Sequence, residues 1–375
     1  MNYRRILDIQ KLIQKKSHFL FGARSTGKST LIEVSHFEKL SFDLLDDEIY
    51  DDLLRRPKLI EERIMNKHQV IVIDEIQRIP KLHNEVQRLM KTVPNHFLLT
   101  VSSARKLKKG GENLLGGRAW EAQLYPLVSH EIIDFDLNKY LNRGGLPHIY
   151  LSEDYEDELK NYVRLYLRQE IVAEALTRNT ESFIRFLDVF ALSNGEELHY
   201  QGLSNDSGVL ARTIQNYVEI LEDTLVGFQV KPFLATVQRK AIARSKFYFF
   251  DVGVVNSLCK RGKIVSGSEL FGKAFEHFII REIKSWLSYK KSNEELYYWR
   301  STSQFEVDAI IGRQWAIEIK STSQVNESHL KGLKALREEG LIKRYSVVSL
   351  DSEPRKIQGI EVLPWQEFLR QLWRT

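Results

Sequence analysis

Cysteine, methionine and proline are scarce in this 375-residue chain, with one, three and eight copies. The lone Cys259 excludes an internal disulfide framework and a cysteine-rich zinc site. That usage points to a reducing compartment, and a cytoplasmic protein is expected. No apolar run approaches the ~18 residues that a bilayer crossing needs. The amphipathic start, MNYRRILDIQKLIQKK, lacks the apolar centre of a secretory leader, so no membrane partner is expected. Nor is there a large excess of one charge. The 55 Lys and Arg against 50 Asp and Glu leave +5, which excludes a polybasic tail protein and permits a nucleic-acid partner. What is present, 43% hydrophobic and 28% charged residues, suits a folded globular chain. At about 150 residues per domain, the length allows two or three domains.

Apolar runs at His18–Phe21, Leu40–Leu44, Val70–Ile73 and Phe97–Val101 alternate with helical stretches, the first over residues 1–16. Val70–Ile73 is apolar without alternation, as a strand covered on both faces must be. Residues 1–135 are therefore predicted to be an α/β domain with a parallel sheet. Between its first strand and a helix starting near Lys28 lies Gly22-Ala23-Arg24-Ser25-Thr26-Gly27-Lys28-Ser29, followed by Thr30. This matches G-x-x-x-x-G-K-[ST] without a gap, and about 0.01 such matches arise by chance in a chain this long. The glycines turn backbone N–H groups onto phosphate oxygens, Lys28 neutralises the β/γ-phosphates, and Ser29 offers its hydroxyl to Mg²⁺.

Asp74 and Glu75 end the buried strand. Asp74 is predicted to hold the Mg²⁺ shell and Glu75 to act as general base for water attacking the γ-phosphate. Hydroxyls of Thr100, Ser102 and Ser103 follow the next strand, and Ser102 is a candidate for positioning that water. No Asn-Lys-x-Asp guanine-reading motif occurs, which favours ATP. Arg105 and Arg118 are both candidates for an arginine finger supplied to a neighbouring subunit, which would make the chain a homo-oligomer.

Residues 136–262 turn helical, with segments expected at Glu153–Thr177 and Glu181–Leu192. Helices at Tyr200–Asn205 and Val209–Leu221, then strands at Leu225–Phe233 and Phe247–Phe250, follow the order of a winged helix over about 196–250. Leu210, Ile214, Tyr217, Val218 and Leu221 would form the core face of its second helix, leaving Arg212, Gln215 and Asn216 outward for phosphates and base edges. Residues 231–263 carry a net +7, including Arg239, Lys240, Arg244 and Lys246. DNA is the expected partner, with RNA as the other nucleic-acid reading.

Residues 263–375 are predicted to hold a long helix, three strands, another helix and a strand at Tyr345–Leu350. In Phe305-Glu-Val-Asp308-Ala-Ile-Ile, residues Phe305, Val307, Ala309 and Ile311 share one face and Asp308 takes the other. If Gly312-Arg313-Gln314 is a three-residue hairpin loop, Ile311 pairs with Trp315 and Asp308 falls across from Glu318. Cross-strand Cβ atoms lie about 5 Å apart, close enough for two carboxylates to share a divalent ion. Asp308, Glu318 and Lys320 form the core of a PD-(D/E)XK nuclease pattern: carboxylates for Mg²⁺ or Mn²⁺, lysine for the phosphate charge. A bare match is expected about once per chain of this size, so its weight rests on the shared face. On the preceding helix, Glu269–Leu287, either Glu276 or Glu282 could complete the metal site.

In order, these residues resemble predicted prokaryotic AAA+ superfamily ATPases that carry a winged helix and a C-terminal restriction-endonuclease-like domain of unknown function. The resemblance runs through Phe21–Thr30, Ile73–Gln77, Ser102-Ser103-Ala104-Arg105, Gly117-Arg118-Ala119 and Gly144-Gly145-Leu146-Pro147. It continues through Tyr217–Thr224, Lys246–Gly253, Glu276, Glu306-Val307-Asp308 and Ile317–Lys320. It implies an ATP-binding α/β domain with an added catalytic strand, and Glu276 rather than Glu282 as the helix-borne ligand. It departs from that pattern at Val101, where glycine is usual, and before Asp308, where proline is missing. The expectation is an ATPase coupled to DNA binding and metal-dependent phosphodiester cleavage. The alternative is an ATPase switch whose nuclease-like domain only binds DNA or protein.

Overall fold

Val70–Asp74 is a strand whose first four residues are buried on both faces, as its unbroken apolar run requires. In a computed structural model, which describes residues 3–67, 69–103, 105, 117–170 and 180–374, it is the third strand of a five-stranded parallel sheet. The strands are β1 (Ser17–Phe21), β2 (Lys39–Asp43), β3 (Val70–Asp74), β4 (Phe97–Val101) and β5 (Ala119–Gln123), in the order β2-β3-β4-β1-β5. β4 thus stands between the strand that feeds the phosphate loop and the strand that ends in Asp74. Phe19, Ile71, Ile73, Leu99, Val86 and Leu89 lie in the core that holds this sheet. β5 has no apolar run to mark it in the sequence, because Trp120 and Glu121 are exposed.

The chain forms two compact units. One reaches Leu127 and takes in Ile220–Val226, and the other holds Val128–Glu219 and everything from Gly227 on. The second unit is built on an eight-stranded mixed sheet. Its strands are β6 (Gly227–Pro232), β7 (Lys246–Phe249), β8 (Leu296–Arg300), β9 (Glu306–Ile311), β10 (Trp315–Lys320), β11 (Arg344–Ser349), β12 (Arg355–Ile357) and β13 (Ile360–Pro364). They run β12-β13-β11-β10-β9-β8-β6-β7. The ribbon expected after the second helix of a winged helix forms the edge of this sheet. Lys231 and Pro232 of β6 pair with Tyr297 and Tyr298 of β8, and the Phe233 N–H donates to the Tyr298 carbonyl at 2.7 Å.

The helix order of the middle region holds in outline, with differences. The first helix is only Ile9–Lys15, because the Asp8 carboxylate accepts from the Lys11 N–H at 3.1 Å and caps it there. The segment expected over Glu153–Thr177 is an α-helix at Tyr155–Asn161 that widens into a π-helix over Tyr162–Glu170, and 171–179 lie outside the described residues. The helix Ala211–Asp223 buries Ile214, Tyr217, Val218 and Leu221 and leaves Arg212, Gln215 and Asn216 exposed. Leu210 precedes that helix and is 77% exposed, so it does not belong to the core face.

Two glycine motifs are explained by one contact. Gly144 has φ +75, and a Cβ there would lie 2.0 Å from Asp251. Fully buried Asp251 accepts from the Gly145 N–H at 2.6 Å and caps the helix Val252–Leu258 through the Val254 N–H at 3.1 Å. Gly253 in turn abuts the Arg143 carbonyl, 2.4 Å from where its Cβ would be. These residues hold the fold of the second unit.

A third glycine bears on β9. A Cβ on Gly332, in the helix Lys331–Arg337, would stand 1.7 Å from the Glu306 carbonyl oxygen. The helix therefore lies directly on the strand that carries Asp308. Gly332→Ala is expected to cost about 3 kcal/mol by overpacking, read as a lowered melting temperature. An unchanged melting temperature would contradict that packing.

Among the described residues, no helix is long and apolar enough to cross a membrane.

Candidate functional site

The phosphate loop turns from β1 into the helix Lys28–Glu33 through two left-handed residues, Ser25 at φ 64 and Gly27 at φ 92. A Cβ on Gly22 would meet the Leu124 carbonyl at 2.7 Å and Thr26 Oγ1 at 2.9 Å, so only glycine fits. Thr26 Oγ1 donates to the Ala23 carbonyl at 2.8 Å, and Arg5 donates to the Thr26 carbonyl at 2.8 Å and to the Tyr125 carbonyl. Arg24, Ser25, Ser29 and Thr30 are exposed, whereas Ala23, Thr26 and Lys28 are buried. The Lys28 ammonium donates to the Gly22 carbonyl at 2.8 Å and lies 3.9 Å from Glu75 Oε1. Burial pulls its pKa down, and the charges of Glu75 and Asp74 work against that shift.

The acidic strand end sits where the motif requires. Ser29 Oγ donates to Asp74 Oδ2 at 2.9 Å, and the Thr100 hydroxyl donates to Asp74 Oδ1. A serine hydroxyl and a carboxylate side by side are hard oxygen donors that fit Mg²⁺. Glu75 takes a left-handed backbone, φ 58, and its N–H donates to Thr100 Oγ1 at 2.9 Å. Ser102 Oγ donates to Glu75 Oε2 at 2.5 Å, and buried Gln77 donates to both Glu75 Oε2 and Ser102 Oγ. Ser102 thus holds the Glu75 carboxylate in place. Gln77 and Arg5 are supporting residues that the motif does not name. Arg105 pairs with Asp223 of its own unit at 3.7 Å and is largely buried. Arg118 is half-buried just ahead of β5.

In the second unit, Ile311 pairs with Trp315, Ile310 with Ala316 and Ala309 with Ile317, the register of a three-residue loop. The ladder ends there, and Asp308 and Glu318 are the next residues outward on their strands, both in contact with Lys320. Asp308 Oδ2 accepts from the Ile319 N–H at 2.7 Å and lies 3.8 Å from Lys320 Nζ, which in turn lies 2.6 Å from Glu318 Oε1. Both carboxylates are buried, and Glu318 Oε2 is enclosed without a hydrogen bond. Burial pushes Asp308 up to about 6, and burial together with the Asp308 charge raises Glu318 well above the usual carboxylate range. Burial opposes the Lys320 charge, but Asp308 and Glu318 hold it above the ordinary lysine range.

The two helix carboxylates separate cleanly. Glu282 is fully buried and accepts from the Ser129 N–H at 2.7 Å, Ser129 Oγ at 3.2 Å and Trp373 Nε1 at 2.9 Å, which makes it a structural group. Glu276 stands on the face of its helix where Gly272, one turn earlier, abuts Ser321 beyond β10. It accepts from the Tyr248 hydroxyl at 2.7 Å and pairs with Lys246 at 3.7 Å. Among the described residues, no group of three or more His, Cys, Asp or Glu is arranged to hold a metal ion as it stands. The paired carboxylates and the orphaned Glu318 oxygen nonetheless fit a divalent cation's oxygen donors.

The basic stretch 231–263 is not one surface. Lys246 is buried in the carboxylate cluster, 2.7 Å from Glu306 Oε1. Arg239 is partly buried and donates to Glu338 and to the Ala335 carbonyl. Lys240 and Arg244 are exposed, the latter 3.8 Å from Glu197. Lys246, Tyr248 and Glu306 were missed as site residues. The alternation Lys246-Phe247-Tyr248-Phe249, polar to one face and aromatic to the other, was the available signal.

Comparison with known proteins divides the chain in three. Residues 14–133 match a family described as AAA domain. Residues 134–264 and 271–368 match two domains of unknown function, DUF8612 and DUF4143. The uncharacterized protein Rv2008c of Mycobacterium tuberculosis is 25% identical over 317 residues, 81% of this chain and 70% of its own. The uncharacterized protein MJ1637 of Methanocaldococcus jannaschii is 22% identical over an alignment covering 95% of this chain and 85% of its own. With the phosphate loop, the acidic strand end and the five-stranded parallel sheet already in place, the N-terminal part of this chain is an AAA-type ATPase-like domain.

Proposed function

We propose that this chain couples ATP hydrolysis to metal-dependent cleavage of phosphodiester bonds in DNA. Lys28 and Ser29 bind the nucleotide phosphates and Mg²⁺ with Asp74, and Glu75, aimed by Ser102 and Gln77, takes the proton of the attacking water. The observation that supports the second activity is that one cation, Lys320, contacts both buried carboxylates, Asp308 at 3.8 Å and Glu318 at 2.6 Å. A divalent ion held there supplies Lewis-acid activation of water and of the scissile phosphate. Asp308, Glu318 and Glu276 are its ligands, Mg²⁺ or Mn²⁺ serving, and Lys320 meets the phosphate charge. Arg118 remains the candidate finger, which makes ATP hydrolysis per chain rise with self-association.

Arg212, Gln215, Asn216, Lys240 and Arg244 are exposed and supply the DNA contacts in this reading. Replacing Arg212 and Asn216 together by alanine is expected to weaken DNA binding about tenfold at low salt, by fluorescence anisotropy. Unchanged affinity would move the contact surface elsewhere.

The activity is tested by incubating the purified chain with linear, supercoiled and branched DNA in Mg²⁺ or Mn²⁺, with and without ATP. Cut products in the presence of metal are expected. A second reading, a non-catalytic binding module, is favoured by the contact of Lys320 with Glu318 at 2.6 Å, which compensates the pair without any metal. DNA bound but uncut in both metals would favour it.

A further inference from the structure

Lys246 is 4% exposed and comes from β7, outside the strands that carry Asp308, Glu318 and Lys320. Its ammonium lies 2.7 Å from Glu306 Oε1, 3.7 Å from Glu276 Oε1 and 5.3 Å from the centre of the Tyr298 ring. The Tyr248 hydroxyl donates to the same Glu276 oxygen at 2.7 Å. Glu306 is also 3.8 Å from Arg300 Nε, so its charge is compensated twice. Glu276 is therefore held by a cation and a hydroxyl, both fixed by their own strand. Its charge also acts on Asp308 and Lys320, and Glu318 Oε2 is buried without a hydrogen-bond partner.

We propose that Lys246 is a built-in cation that holds Glu276 in reserve and competes with a divalent metal ion for it. This rests on reading Asp308, Glu318 and Glu276 as a metal site. A buried lysine within reach of the carboxylates repels an incoming divalent ion, and it also occupies one of the ligands that ion needs. A metal binds by drawing Glu276 off Lys246 and Tyr248, leaving Glu306 to carry the ammonium. Lys246 and Tyr248 are thus positioning residues that set how tightly the site takes its cation. Removing Lys246 is expected to tighten metal binding. A mere prop for Glu276 would do the opposite.

The test titrates Mn²⁺ into the full-length, nucleotide-free chain and follows the free aquo ion by electron paramagnetic resonance. All variants carry Asp74→Asn so that the phosphate loop lacks its metal ligand. Lys246→Met is expected to bind Mn²⁺ at least ~10-fold more tightly than its Lys246 parent, the scale of one charge within about 6 Å. Lys246→Arg keeps the parent affinity, and Glu276→Gln added to Lys246→Met cancels the gain. Should Lys246→Met fail to fold, Tyr248→Phe reads the same competition through one hydrogen bond, with a gain of about fivefold. If the parent binds Mn²⁺ and neither variant binds it more tightly, the competition is overturned while the metal site stands. If neither the parent nor any variant binds Mn²⁺, the metal site itself is wrong and the inference goes with it.

Discussion

Lys28→Ala is expected to lower ATP hydrolysis at least ~10³-fold, and to weaken nucleotide binding as well. Lys28 is 6% exposed, and its ammonium is held by the Gly22 and Ala23 carbonyls and by Glu75 at 3.9 Å. Neutral carbonyls are poor compensation for a buried charge, which is why burial drags its pKa down. Nucleotide phosphates in the loop give that charge anionic partners, so binding energy is concentrated on this one atom. Alanine removes the charge and also leaves two carbonyls without their donor. Lys28→Arg is not expected to rescue, because the fork of a guanidinium does not fit where a slender ammonium is enclosed. A coupled hydrolysis assay with a fluorescent-nucleotide titration reads both effects. Activity within tenfold of the parent would contradict this role.

Asp308→Asn is expected to abolish DNA cleavage, by ~10³-fold or more, and at the same time to stabilise the metal-free protein. The loss follows from removing half of the opposed carboxylate pair. The gain follows from linkage. Burial pushes the folded Asp308 carboxyl up to about 6, above its unfolded value of about 3.9, by disfavouring the charged form. A raised acid pKa destabilises the folded state at high pH. That penalty is absent below about pH 4, grows between about pH 4 and 6, and is constant above. Asparagine keeps an acceptor for the Ile319 N–H without the charge. In excess EDTA the variant should therefore be more stable than the parent at pH 8, by on the order of 2 kcal/mol read as a higher melting temperature, with no difference near pH 3. Equal melting at both pH values would mean that Asp308 is not a buried charge.

Much of the candidate chemistry was legible in the sequence, for a physical reason in each case. The phosphate loop is contiguous, so its geometry is local and its pattern specific. The Ile311–Trp315 pairing followed from a loop of three residues, because a hairpin register needs no distant information. Ile214, Tyr217 and Val218 lay on the buried side of a helix for the same local reason, with period 3.6. Contacts between segments distant in sequence were not legible. Arg239 looked like part of a basic face and is taken up by Glu338, about a hundred residues on. Lys246 looked like its neighbour and is buried against Glu306. The ribbon resembled a wing because nothing in Gly227–Pro232 signals that its end pairs with β8. Leu210 was read into the helix by periodicity, although the helix begins one residue later.

The central claim is that the carboxylates on β9 and β10 form a phosphodiester-cleaving site in a chain whose other end binds ATP. It is tested most directly by single-turnover cleavage of labelled DNA in Mn²⁺, comparing the parent chain with one carrying Asp308→Asn and Lys320→Met. The account predicts that the parent cuts while the double variant does not, with ATP binding intact in both. Equal cleavage by the two chains would contradict it.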